Sequence, residues 1–239
     1  MNSFDRRDSY NVSRQQARAV SNASFMSQVY FWMTAGLLMS GIVAYETAQT
    51  NVAMYIATSK VLWFGLILAQ FAAVMVLSTL INRMSGFLAS FTYMGYAFLT
   101  GVTFSVIFLT FTTESISQAF FITAFSFIGL SVFGYVTKRD LGPIGSFCMM
   151  GLFGLIGIML LTLIFPSMLS NAMAMTINVC SIIIFAGLTA YDTQKIKSFN
   201  SYTTSAEDVK RAAIHGALAL YLDFINLFLS ILRLTGGRR

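Results

Sequence analysis

Six stretches of this chain, each long enough to cross a bilayer, contain no Asp, Glu, Lys, Arg or His. They are Phe25–Tyr45, Val61–Ile81, Phe87–Phe111, Ser117–Tyr135, Ile144–Phe165 and Ala172–Tyr191. A spanning helix needs about 20 predominantly apolar residues. In lipid every backbone N–H and C=O must find its partner within the protein, which leaves helices or a closed barrel as the spanning structures. The ten-residue alternation of barrel strands is absent, and two prolines with 17 glycines in 239 residues suit helices better. Only 10% of the residues are charged and 56% are apolar, where a soluble domain averages about 25% charged. The expected fold is an all-α membrane protein, a seven-transmembrane helical bundle with a central seventh helix.

The seventh stretch, Ala212–Leu232, breaks the pattern of the other six with His215 and Asp223. An aspartate at the middle of a membrane helix costs about 2.5–3.5 kcal/mol on insertion scales, and each Leu or Ile offsets only about 0.5. Such a residue normally faces a bundle interior or a water-filled cavity and marks function. Asp223, Asn226, Ser230 and Arg233 share one helical face, opposite Leu, Phe and Ile. The stretch therefore reads as a central helix with a wet seam.

Loop charges orient the bundle. Residues 1–24 form a polar tail with Arg6, Arg7, Arg14 and Arg18, and no cleavable leader pattern follows it. If odd spans run outward, the cytoplasmic segments also collect Arg83, Lys138, Arg139, Lys195, Lys197, Lys210 and Arg211. That is 11 of the 15 basic residues, and the outer loops keep only Lys60. The layout expected is a cytoplasmic N-terminal tail (1–24), one membrane domain (25–234) and a short basic C-terminal tail (235–239), in a multi-pass membrane protein. Seven spans put the C-terminus outside, against the charge of Arg233, Arg238 and Arg239; a re-entrant seventh segment is the alternative. Small residues at Gly151, Gly154 and Gly157, and at Gly101 with Ser105, mark places where helices can approach closely. Cys148 and Cys180 lie in apolar runs without metal-ligand spacing and read as buried free thiols.

The polar segment from Asp192 to Arg211 closes a hairpin, with Ser205 and Asp208 forming a helix-start signal. Asp192 ends the sixth run, in TAYDTQKIK. Residues level across an antiparallel hairpin have a constant index sum, so Asp192 faces Asp223 if the turn centres near Glu207 and Asp208. The start signal at Ser205 puts the turn slightly earlier, which leaves the pairing plausible and not forced. Two carboxyls in reach of each other in a low dielectric cannot both ionise cheaply and share a proton. Deprotonated, they form an oxygen-rich cation site. Asp192 also reads as a solvated carboxylate beside Lys195, and Asp223 as a structural hydrogen bond. Arg83, at the end of the second run, is either a latch for a carboxylate or an ordinary anchor. His215, the only histidine, cannot build a metal site alone and is left unassigned. No cofactor and no firm metal site is expected.

GLTAYDTQKIK (Gly187–Lys197) and ALALYLDFINLFLSILRL (Ala217–Leu234) together resemble the signature of the Bax inhibitor-one family, which carries the transmembrane Bax inhibitor motif. The seven-span layout extends the resemblance along almost the whole chain and is similar to that of bacterial inner-membrane members. The resemblance implies a central seventh helix wrapped by the other six, and a pH-sensitive calcium leak gated by Asp192 and Asp223 with Arg83 as latch. The surroundings of Arg83, INRMSG, match only loosely. The expected partners are membrane lipids, calcium or other cations, protons and a possible membrane-protein partner, with no nucleic acid. An alternative is a non-catalytic regulator that binds a membrane protease or another membrane protein. An intramembrane aspartyl protease is disfavoured, because Tyr221 and Leu222 stand where such enzymes carry Gly-x-Gly before the second aspartate. A proton-coupled transporter could use the same carboxyls. No serine has a plausible base, so an enzyme is not expected.

Overall fold

A computed structural model describes residues 3–165, 170–200 and 205–237. Helices begin where a hydroxyl residue or a proline interrupts the apolar runs. Helix α1 spans Ser3–Ala48, its membrane-spanning part starting at Ser21. Thr50 caps a short α2 (Asn51–Thr58), and Ser59 caps α3 (Lys60–Leu80). A 3-10 turn at Ile81–Arg83 leads to Ser85, which caps α4 (Gly86–Thr110). Thr112 caps α5 (Thr113–Val136), and a proline in its first turn starts α6 (Gly142–Ile164). Ser170 caps α7 (Asn171–Phe199). Helix α8 (Ala206–Thr235) opens with a full capping box, in which Ser205 and Asp208 satisfy each other's backbone N–H groups as the sequence signal indicates. Seven of these helices are long and apolar enough to cross a membrane. The loop between the first two spans holds α2, which packs Ala53 and Ile56 inward.

Helix α8 is the axis of the molecule. Its span is 67% buried, against 39% or less for every other span. Helices α1, α4, α5 and α7 pack directly on it, while α3 lies outside against α4 and α6 outside against α7. The expected wrapping by six helices is thus a wrapping by four, with two in an outer layer. The reason is chemical: α3 and α6 are apolar over most of their surface, and Gln70 of α3 spends its amide on the Leu99 carbonyl of α4, so lipid suits their remaining faces as well as protein does.

Helix α8 is continuous over about 45 Å, at 1.5 Å per residue for 30 residues. At its start, Glu207 accepts a hydrogen bond from the Gly86 backbone N–H at 3.1 Å, and Arg211 donates to the Met84 carbonyl at 3.1 Å. At its end, the Gly237 carbonyl accepts from Thr112 N–H at 3.2 Å, and Gly237 N–H donates to the Ser115 hydroxyl at 2.9 Å. These contacts pin α8 to both ends of α4, so the seventh segment traverses the bundle rather than turning back.

Close crossings occur at some of the small residues. A Cβ on Gly101 would sit 2.7 Å from the Ser40 carbonyl oxygen, marking the tight α1–α4 crossing. One on Gly134 would collide with the Ala190 carbonyl, marking the α5–α7 crossing that the sequence did not reveal. Gly151 meets Ile184, but Gly154 and Gly157 face open space and reflect composition rather than packing. Cys148 is buried and free; Cys180 is free but exposed on α7, contrary to expectation, because that side of the helix turns outward.

Candidate functional site

The residue that fits its surroundings worst is Asp223, at the midpoint of the most buried helix and only 4% exposed. The partly buried Asp192 on α7 brings its carboxyl within hydrogen-bonding reach of it. Two ionised carboxylates cannot make that contact without a proton or a cation between them. Asp223 Oδ2 finds no donor, and among the described residues the ion pair formed, Arg211 with Asp208, involves neither member. Lys195, one turn beyond Asp192, is the cation whose charge reaches it, and the buried Cys148 thiol of α6 lies within electrostatic range of Asp223.

The turn of α7 that carries Asp192 is committed residue by residue. Thr193 bonds the Ser131 hydroxyl of α5 at 3.5 Å, with Tyr30 of α1 in reach of both. The Gln194 amide accepts from Leu141 N–H at 2.9 Å and donates to the Arg139 carbonyl at 2.8 Å, fixing the α5–α6 loop. Lys197 donates to the Tyr135 carbonyl at 3.0 Å and lies over that ring. Asp192 and Ile196, one turn apart, are the residues of this run turned to α8, and Asp192 is the charged one.

Above Asp223, the seam residues spend their polar groups locally. Asn226 donates to the Leu222 carbonyl and Ser230 to the Asn226 carbonyl, both at 2.8 Å. The opposite side of α8 is buried as well, so the contrast expected between a wet and a dry face does not divide the helix. The line ends at Arg233, which is exposed and lines a cavity of about 480 Å³ together with Asn171 and Asn178 of α7.

On the other side of α8, Tyr221 packs edge-on against Tyr93 (6.1 Å between centroids) and Tyr96 (5.7 Å). Its hydroxyl is buried near Ser40 and Thr100 without a hydrogen bond of good geometry, while those hydroxyls donate to the Gly36 and Tyr96 carbonyls. Sequence reasoning missed Tyr221 as a buried polar centre, although it sits two residues before Asp223. Arg83 is exposed on the 3-10 turn and forms no ion pair among the described residues. The neighbouring contacts between that turn and α8 belong to Arg211 and Glu207 instead. His215 packs edge-on against Phe199.

A family model described as inhibitor of apoptosis-promoting Bax1 (Bax1-I) matches residues 22–239. The chain is 43% identical over 219 residues to inner membrane protein YbhL of Escherichia coli, covering 90% of this chain and 92% of that protein. An uncharacterised protein of Deinococcus radiodurans is 41% identical, covering 90% of this chain and 91% of its own length. One from Borreliella burgdorferi is 38% identical over 95% of this chain and 98% of its own length. A family match that spans the whole membrane domain, with relatives aligned nearly end to end, means that this chain belongs to the Bax1-I family.

Proposed function

We propose that the protein is a pH-sensitive cation leak of the inner membrane, with calcium as the ion best suited to its oxygen ligands and with Asp192 and Asp223 as its gate. The observation that carries this reading is the pairing of two carboxyls, from different helices, on the axis of a membrane bundle. Protonated, the pair is a neutral hydrogen-bonded plug; deprotonated, it repels itself open or holds a cation. Proton and cation compete for the same oxygens, so cation binding strengthens as pH rises. Among the described residues no three metal-ligating side chains come together. A cation at the pair therefore keeps much of its water and dwells briefly, as a leak requires. The inner-membrane location follows the name of the Escherichia coli relative and the seven apolar helices.

Flux of calcium into proteoliposomes, measured across pH for the wild type and Asp223→Asn, tests the reading. The wild type shows a pH-dependent flux and the variant a flat one. A pH profile unchanged by the substitution rejects the gate and turns attention to a partner-binding role.

A further inference from the structure

Helices α1 and α5 run antiparallel on the same side of α8 but barely touch each other. Between them lies a cavity of about 710 Å³, walled by residues such as Met33, Ala124 and Ile128 and backed by Phe224, the neighbour of Asp223. It follows α1 from Ala23 to Leu37, about 21 Å at 1.5 Å per residue. Spread over that length, with a water radius added at each wall, the volume makes a slot about 9 Å across, narrower than another helix of about 10–12 Å. Its length exceeds one leaflet's half of a hydrocarbon core about 30 Å thick.

One end of the slot is different. It finishes at Tyr135, and Lys197 donates to the Tyr135 carbonyl while its ammonium lies 4.5 Å from the ring centroid. Lys138 and Arg139 follow Tyr135 within four residues, and Asp140 is the one acidic residue in that loop. An apolar slot of acyl-chain length with a basic rim at one end matches a single-chain segment of an anionic lipid.

We propose that the α1–α5 slot holds an acyl chain of an anionic phospholipid, with its phosphate at the Lys197 end. The chain then lies against Phe224, in van der Waals contact with the turn that carries Asp223. This site is independent of ion conduction and stands or falls separately from the proposed gate.

Native mass spectrometry of the full-length protein, titrated with phosphatidylglycerol or phosphatidylethanolamine, tests it. The wild type retains one phosphatidylglycerol in preference to phosphatidylethanolamine. Ala124→Trp fills the slot and abolishes that tight adduct, and Ile128→Trp does the same if the first variant does not fold. Lys197→Gln lowers the preference for phosphatidylglycerol by about fivefold, the effect of one basic residue at an anionic surface. Undiminished binding in a folded Trp variant overturns the site, as does equal retention of the two lipids by the wild type. A dimer that the Trp variants dissociate would assign the slot to a second copy and also overturn it.

Discussion

Phe199 and His215 meet edge-to-face at 5.9 Å, which puts the last turn of α7 level with a residue nine positions inside α8. The same register recurs where Gly216 packs under Ile196 and where Asp192 reaches Asp223. Helix α8 therefore extends past the end of α7 by its first two turns. That overhang is what the index argument could not contain. The pairing holds although α7 ends at Phe199 and α8 begins at Ala206, because the first turns of α8 reach beyond the end of α7.

If Asp192 and Asp223 share a proton as proposed, they respond to mutation as one group. Asp192→Asn and Asp223→Asn each flatten the pH dependence of flux, and the double variant matches either single rather than their sum. In thermal unfolding the pair shows a coupling energy of about 1 kcal/mol or more in a double-mutant cycle. Strict additivity in both measurements would separate them.

If cations pass as proposed, the charge of Arg233 opposes their entry to the cavity it lines. A positive charge about 10 Å from a divalent ion in a water-like dielectric costs about 0.8 kcal/mol. Arg233→Gln raises calcium flux about fourfold at low ionic strength, an increase that fades in high salt. A salt-independent change would point to a packing effect.

At the other end, Arg211→Met removes the donor to the Met84 carbonyl and the pair with Asp208, loosening the 3-10 turn from α8. Hydrogen exchange across residues 81–86 speeds up, and stability falls by about 1–2 kcal/mol. Arg83→Ala, removing an exposed side chain, leaves both unchanged. A rise in resting leak in Arg83→Ala would place the latch in a second conformation.

Gly134→Val drives a side chain into the Ala190 carbonyl and destabilises the protein by about 2–3 kcal/mol. Gly154→Val, pointing into open space, changes the unfolding midpoint little. Equal effects would mean that helix propensity, not the α5–α7 crossing, governs both.

The C-terminus lies at the end of the bundle occupied by the α4–α5 loop. With the basic loops cytoplasmic, a periplasm-requiring reporter fused after residue 239 is active and a cytoplasm-requiring one is silent.

The spans, the capping box and the axial aspartate were legible because each is written in local composition: charge-free runs, Ser205 with Asp208, one carboxylate among leucines. Layering was legible only in hindsight. The most apolar spans, α3 and α6, are the outermost, which inverts the rule that serves soluble proteins. Other features depend on which surfaces meet. Nothing local in FSFIGLSVFGYV singles out Gly134 over Gly129, since only the arrival of Ala190 distinguishes them. Arg83 and Arg211 look equally suited to cross the same loop, and the overhang of α8 selects the second.

Helix α8, buried on nearly all sides and carrying an unpaired carboxyl oxygen, is made after the other six spans. Alone in lipid it would expose Asp223 to hydrocarbon, so its stable entry depends on the earlier six spans already offering a lined groove. The groove that α8 fills is walled by α1, α4, α5 and α7, so a chain synthesised only as far as α7 has those walls without the axis they share.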